Sequence, residues 1–246
     1  MKKIAVIPAR YASTRFPAKL MQRLGDKTII RATYENTVAT GLFDEVLTVT
    51  DSEIIFSEIA EHGGNAMMSR HDHESGSDRI AEAIENLDFG IVLNVQGDEP
   101  FVDKQTLSGL LSVFEDEAIQ VASLMHRLYD KADIENPNNV KVVVDKHNNA
   151  LFFSRSVIPF ARDKDSSPIY YKHIGVYAYR KNALLQFTGW EPGVLEAAEK
   201  LEQLRYLEND VRIKMILTEH SSIGIDTPED LQLAKAYLEQ QQKNKI

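Results

Sequence analysis

The strongest constraint on this chain is an alternation. Short apolar runs ending in polar or acidic residues are separated by stretches of helical spacing. Ile4-Ala5-Val6-Ile7 leads to Pro8-Ala9-Arg10, Val46-Leu47-Thr48-Val49 leads to Asp51, and Ile91-Val92-Leu93-Asn94-Val95 leads to Gly97-Asp98-Glu99-Pro100. Between them Thr28 to Thr40, Ser52 to Glu61 and Ile80 to Leu87 repeat apolar residues at helical intervals, with Ser75 or Ser77 placed to cap the last. Runs this short and this apolar fit strands covered on both faces, and β-α-β-α order favours parallel pairing through right-handed crossovers. In such sheets ligands gather outside the carboxyl ends of the strands. The loops after these runs are where site residues are expected.

The first loop carries Arg10, Arg15 and Lys19, with Ser13, Thr14 and Pro17 among them. In a chain of net charge -9, neighbouring cations repel one another and gain little unless an anion joins them. Spacing alone also fits solvated surface charge. The acidic balance argues against a general nucleic-acid binder, which needs a basic face. Neither a Walker A loop nor G-x-G-x-x-G follows the first run, so neither of those phosphate sites is expected. The third loop places Asp98 at a strand end, where an α/β enzyme holds a metal-phosphate complex; a turn-forming Asp is the plainer alternative. The His71-x-His73 pair lacks a third ligand and is weak as a metal site.

No cysteine is present, which excludes disulfides and zinc-thiolate or cysteine-ligated iron-sulfur sites. Pro8 and Arg10 cut the opening apolar run below the length of a signal-peptide core, and no stretch approaches the ~18 apolar residues of a membrane span. A cytoplasmic protein without membrane insertion is expected. The 246 residues suit a single α/β domain over 1–246.

The second half changes character. Val121 to Leu128 and Val140 to Val144 read as strands, and Asp145 to Asn149 as a turn into Ala150 to Arg155. This predicts an antiparallel hairpin added to the sheet, within a middle region of about 121–190. Arg155 and Arg162 are the cations expected beside the crevice. Tyr170 to Tyr179 reads as a strand with His173, Gly175 and Tyr177 on one face. Leu195 to Leu207 reads as one amphipathic helix, with Leu195, Ala198, Leu201 and Leu204 inward and Glu202, Gln203 and Arg205 on other, solvated faces. Ile213 to Leu217 is a last strand. Thr227, Pro228 and Asp230 then form a helix start in which Thr227 caps, leaving Asp226 free for another role.

Clustered cations, a strand-terminal Asp98 and a second acid at Asp226 suit nucleotidyl transfer. Magnesium takes oxygen ligands, commonly one or two carboxylates plus substrate phosphates. Between Asp98 and Asp226 it would bridge an α-phosphate and an attacking hydroxyl while the cations stabilise the departing pyrophosphate.

At this level the chain resembles a known family over nearly its whole length. Pro8-Ala9-Arg10-Tyr11-Ala12-Ser13-Thr14-Arg15, Ser75-Gly76-Ser77-Asp78-Arg79, Asn94-Val95-Gln96-Gly97-Asp98-Glu99-Pro100 and Ala150-Leu151-Phe152-Phe153-Ser154-Arg155 carry the first part of the likeness. His173-Ile174-Gly175-Val176-Tyr177, Leu201-Glu202-Gln203-Leu204-Arg205 and Asp226-Thr227-Pro228-Glu229-Asp230-Leu231 carry the rest. In this order they resemble the 3-deoxy-manno-octulosonate cytidylyltransferases, or CMP-Kdo synthetases.

The resemblance implies an α/β fold of the nucleotide-diphospho-sugar transferase type: a Rossmann-like open sheet, mixed but mostly parallel, flanked by helices. It implies an enzyme that converts CTP and Kdo to CMP-Kdo and pyrophosphate for lipopolysaccharide biosynthesis. It implies that Ala9, Arg10 and Lys19 hold the nucleotide's phosphates, and that Ser75, Gly76 and Arg79 surround the cytosine. Asp98 and Asp226 would bind Mg2+, with Lys19 completing the catalytic set. Arg15, Gln96, Arg155, His173, Tyr177, Glu202 and Gln203 would contact the sugar, with Arg162 a further candidate for its carboxylate. A homodimer joined through the middle hairpin region is also implied. Activation of 8-amino-Kdo or another sugar acid, and a non-catalytic CTP-binding regulator, are the alternatives. Two departures stand out: Pro17-Ala18-Lys19 replaces Pro-Gly-Lys, and Ser77-Asp78 replaces the commoner Thr-Glu. The first predicts a backbone at Ala18 that avoids positive φ and approaches the phosphates less closely.

Overall fold

The computed structural model describes residues 1–12, 16–71, 73, 75–163, 166–219 and 224–243. In chain order, β1 (Lys3–Ala9) leads through a small ribbon of β2 (Arg23–Leu24) and β3 (Lys27–Thr28) to α1 (Ile29–Ala39), β4 (Glu45–Thr50) and α2 (Glu53–Glu61). Next come β5 (Ala66–Met68), α3 (Gly76–Ile84), β6 (Ile91–Asn94), α4 (Lys104–Ser112), β7 (Val121–Leu128) and α5 (Lys131–Glu135). The chain continues with β8 (Lys141–Val144), β9 (Ala150–Ser154), β10 (Tyr170–Arg180), α6 (Lys181–Thr188), α7 (Val194–Glu199) and α8 (Leu204–Glu208). It closes with β11 (Ile213–Leu217) and α9 (Pro228–Lys243). The fold is a mixed, mostly parallel sheet flanked by helices, as the alternation predicts.

Two compact units are present, 1–104 with 222–246 and 105–221. In the first, the strand order is β6-β1-β4-β5 with every pair parallel. The central β1 buries Ile4, Ala5, Val6 and Ile7 completely, and α1, α2 and α3 pack onto the sheet with Ile29, Ile30, Ile55, Ile80 and Ile84 fully covered. Each such side chain contributes roughly 1.5–3 kcal/mol by leaving water. Thr28 caps α1 by accepting from the Arg31 amide, and Ser75 caps α3 by accepting from that of Asp78.

In the second unit the order is β11-β7-β10, with β8 beside β10 and β9 beside β8. Only the β11–β7 pair is parallel; the β8–β9 hairpin is antiparallel, as expected. Along β10 the register against β7 shifts between Ile174 and Tyr177. His173 pairs with Met125 and Tyr177 with Ser123, so both side chains still share a face; Gly175 sits in the bulge with nothing within 4 Å of where a Cβ would be. A stack of Tyr177, Tyr179, Tyr206 and Phe187 ties β10 to α8 and α6.

Two sequence expectations are corrected. The single helix over Leu195 to Leu207 is broken, because Lys200 takes a left-handed conformation at φ 55° between α7 and α8. Leu201 and Leu204 are buried as predicted, but Leu195 and Ala198 are exposed and Glu196 and Gln203 are buried instead. Arg205 is no solvated residue: it pairs with Glu196 and lies over the Phe187 ring. The second correction concerns Ala18, which adopts φ 50°, ψ 36° instead of avoiding the left-handed region. The turn it makes is closed by the Met21 amide donating to the Ala18 carbonyl and that of Gln22 to the Lys19 carbonyl.

Candidate active site

In the first unit the carboxyl end of β6 and the start of α9 deliver two carboxylates to one ammonium. Gly97 makes this possible at the β6 end: a Cβ there would lie 3.2–3.3 Å from Ile30, Leu20 and the Pro8 carbonyl, so the chain turns where little but hydrogen fits. The Ile225 amide donates to the Asp98 carbonyl and draws the segment before α9 alongside. At that helix the cap forms as predicted: Thr227 Oγ1 accepts from the Asp230 amide, and the Asp230 carboxylate accepts from the amides of Thr227 and Asp226. The Asp226 side chain is thereby left for Lys19.

Lys19 Nζ donates to Asp98 Oδ2 at 2.5 Å and to Asp226 Oδ1 at 2.9 Å. Burial alone would lower the lysine pKa, but the two carboxylates outweigh it and hold the ammonium above its ordinary value. Lys19 therefore stays charged at neutral pH and acts as a fixed cation. Two carboxylate oxygens meeting at one cationic atom are a hard-oxygen pair of the kind a divalent ion takes. Among the described residues no third acidic or histidine side chain joins a metal-binding group.

Arg79 forms a second cluster in this unit. Its buried guanidinium donates to the Ala9 carbonyl at 2.8 Å and to Asp51 Oδ2 at 2.6 Å, locking α3 to the carboxyl ends of β1 and β4. Gly76, in the first turn of α3, stands where a Cβ would touch the Pro8 ring at 3.5 Å. The Ser75 hydroxyl is engaged with Asp78, accepting from its amide and donating to its carboxylate. Arg10 is exposed just beyond β1, and Gln96 reaches Asn94 through its amide at 3.4 Å. Arg15 lies outside the described residues. Asp51 follows β4 directly, an acid beyond a strand end like Asp98, which is the sequence signal for a role. His73 Nε2 donates to the Glu82 carboxylate at 2.7 Å, which occupies the histidine in a structural pair.

In the second unit His173, Tyr177 and Gln203 come together. The His173 ring stands 5.3 Å from that of Tyr177 and 5.1 Å from that of Phe153. Its Nδ1 meets Gln203 Nε2 at 3.4 Å and its Nε2 meets Ser123 Oγ at 3.1 Å. Burial pushes the imidazole pKa down to about 3, so the ring is neutral at physiological pH. Burial likewise pushes the Tyr177 phenol well above its ordinary value; it lies beside the Ser123 hydroxyl but outside hydrogen-bond geometry. Neither group is poised to carry a proton at neutral pH.

Arg155 is held by backbone carbonyls. Its guanidinium donates to the carbonyls of Glu199, Pro137 and Lys200, and its amide donates to the Glu199 carboxylate. Fully buried Lys141 donates to the carbonyls of Arg155 and Asn136. Glu202 and Arg162 are exposed, the latter in the loop before β10. Sequence reasoning missed Ser123, Lys141 and Glu199. A serine at an inward position of the otherwise apolar Val121-Ala122-Ser123-Leu124-Met125 run was a readable signal, whereas Lys141 and Glu199 carried none.

A parallel α/β unit that brings a lysine to one carboxylate beyond β6 and another before α9 is the setting of a nucleotidyltransferase, and residues 4–213 match the family model described as cytidylyltransferase. The chain is 61% identical to a 3-deoxy-manno-octulosonate cytidylyltransferase of Flavobacterium johnsoniae, over 97% of this chain and 99% of the relative. It is 56% identical to the protein of that name from Christiangramia forsetii, over 96% of each. A solved CMP:2-keto-3-deoxy-manno-octonic acid synthetase complexed with CTP superposes with a TM-score of 0.93 at 36% identity, covering 98% of this chain and 100% of that one. The chain belongs to the 3-deoxy-manno-octulosonate cytidylyltransferase family. A 4-diphosphocytidyl-2C-methyl-D-erythritol synthase from Anaerococcus prevotii, at 18% identity and a TM-score of 0.66 over 97% of this chain and 99% of that one, shares the fold.

Proposed function

We propose that this chain activates Kdo by transferring CMP to it from CTP, releasing pyrophosphate and supplying CMP-Kdo for lipopolysaccharide biosynthesis. The observation that carries the reading is the convergence of Asp98 and Asp226 on the Lys19 ammonium, in a chain so close to proteins bearing that activity's name. The Kdo 2-hydroxyl oxygen attacks the α-phosphorus as its proton passes to solvent water, the bond to the bridging α–β oxygen breaks, and pyrophosphate leaves in line. Asp98 and Asp226 would hold Mg2+, which when bound neutralises phosphate charge and lowers the pKa of the attacking hydroxyl. Substrate phosphate oxygens complete such a site, in keeping with the two protein carboxylates found.

Lys19 and Arg10 counter the negative charge that accumulates on the departing pyrophosphate, with the Ala9 backbone beside it. Ser75, Gly76 and Arg79 are assigned to the nucleotide base. In that assignment the Asp51 and Ala9 bonds hold the Arg79 guanidinium in one orientation before the base arrives. Arg15 and Gln96, with Arg155, Arg162, His173, Tyr177, Glu202 and Gln203, are assigned to the sugar acid. A homodimer belongs to the same proposal, supported by Leu151 of the hairpin and Phe160, which expose 61% and 85% of their surface. A reaction that consumes CTP also belongs in the cytoplasm.

The test is pyrophosphate release from CTP and Kdo with magnesium by Asp98→Asn and Asp226→Asn. Each is expected to lower kcat by at least about 100-fold, the scale of losing a main electrostatic contributor, with circular dichroism unchanged. Near-normal turnover in either variant refutes the metal assignment.

A further inference from the structure

We infer that Ser123 is a positioning residue that fixes the tautomer of His173 and, through it, the orientation of the Gln203 amide. The inference rests on the assignment of His173 and Gln203 to the sugar acid. It names a part of that site which no motif marks.

Ser123 is fully buried in β7, and its Oγ stands 3.1 Å from the Ile174 carbonyl and 3.0 Å from the Val176 carbonyl. Those carbonyls belong to the bulged stretch of β10. A hydroxyl has one proton, and only by directing it at these carbonyls does Ser123 avoid setting its lone pairs against two acceptors in a buried place. What remains toward His173 Nε2, 3.1 Å away, is a lone pair. Nε2 must therefore carry the ring proton and donate it to Ser123.

The neutral imidazole then has a bare Nδ1, which accepts from Gln203 Nε2 at 3.4 Å. An amide held by its nitrogen has its Oε1 left over as an acceptor. The opposite arrangement, Nδ1–H donating to Gln203 Oε1, would require the Ser123 proton to face Nε2 and leave both bulge carbonyls opposed to a bare oxygen. Ser123 thus decides whether Gln203 can offer an acceptor or a donor to a bound ligand. For a sugar acid that difference separates a hydroxyl, which can give its proton to the amide oxygen, from the carboxylate, which can only accept.

The experiment uses protein labelled with 15N-histidine, with His173 assigned from the signal missing in His173→Gln. The expected result is a proton on Nε2 and a bare Nδ1 at neutral pH. A wild-type ring protonated on Nδ1 overturns the inference outright, without dependence on any variant. In Ser123→Ala the tautomer preference is expected to collapse and the KM for Kdo to rise about tenfold, the scale of one misdirected hydrogen bond, while the KM for CTP stays within about twofold. Ser123→Ala with the wild-type tautomer and wild-type KM for Kdo also overturns it. Failure of the sugar assignment reads differently: His173→Gln and Gln203→Ala would leave the KM for Kdo unchanged, while the wild-type ring still carries its proton on Nε2.

Discussion

Replacing Glu196 with alanine probes how the broken helix is held. Glu196 and Arg205 face each other with side chains 10% and 12% exposed, joined by Nε–Oε2 and Nη2–Oε1 bonds of 2.6 and 2.5 Å. The guanidinium also donates to the Trp190 carbonyl at 3.1 Å and lies 4.4 Å over the Phe187 ring. Removing one partner of a buried pair costs about 3–5 kcal/mol because the other charge stays buried. The carbonyl and ring contacts survive in Glu196→Ala, which places the expected loss at the lower end, about 3 kcal/mol. For a chain of 246 residues that corresponds to a fall in Tm of roughly 6–12 °C. Trp190 is the only tryptophan, so its fluorescence during urea unfolding reports the unit that contains the pair. Glu196→Ala/Arg205→Met removes both charges and is expected to recover at least about half of the loss. A single-variant cost below about 1 kcal/mol, or strict additivity in the double variant, would refute the reading of the pair as a buried clamp.

Ala18→Gly is expected to be neutral or stabilising by up to about 1 kcal/mol, since relief of the left-handed strain is offset by the freedom glycine adds to the unfolded chain; thermal denaturation measures it, and a clear destabilisation contradicts the backbone assigned to Ala18. The His173 imidazole gives a pH signature. Its folded pKa of about 3 lies below the ordinary 6.5, so the unfolded chain binds a proton that the folded one refuses, and stability falls as pH drops below 6.5. The stability of wild type relative to His173→Gln is expected to fall by about 1.6 kcal/mol between pH 6.5 and 5, read from urea midpoints. A constant difference means the ring is not buried as a neutral group.

Much of this architecture was legible because its causes are local. Continuous apolar runs announce buried strands, and Val121–Leu128 and Ile213–Leu217 fall where the sequence places them. The Thr227–Asp230 cap is a four-residue device, and its reciprocal bonds form as read. The break at Lys200 was illegible because nothing near it breaks a helix. The Glu199 carboxylate instead serves Ser154 and the Arg155 amide, and the carbonyls of Glu199 and Lys200 serve the Arg155 guanidinium, all from more than forty residues away. Ala18 failed for a similar reason: intrinsic preference argues against its conformation, while the turn that delivers Lys19 to Asp98 and Asp226 imposes it. In the site, Asp98 and Asp226 were readable as strand-end and pre-helix acids. Ser123 is legible as a buried serine in an apolar run, but its partners are not, because they depend on a bulge in a strand fifty residues on.

The most direct test of the central claim is a substrate panel: pyrophosphate release with magnesium and CTP, offered Kdo, 8-amino-Kdo and a sialic acid in parallel. Turnover with Kdo is expected to exceed that with the others in kcat/KM, with CMP-Kdo recovered in equal amount to pyrophosphate. CTP binding without product from any sugar acid, or turnover with a different sugar acid alone, would contradict the claim.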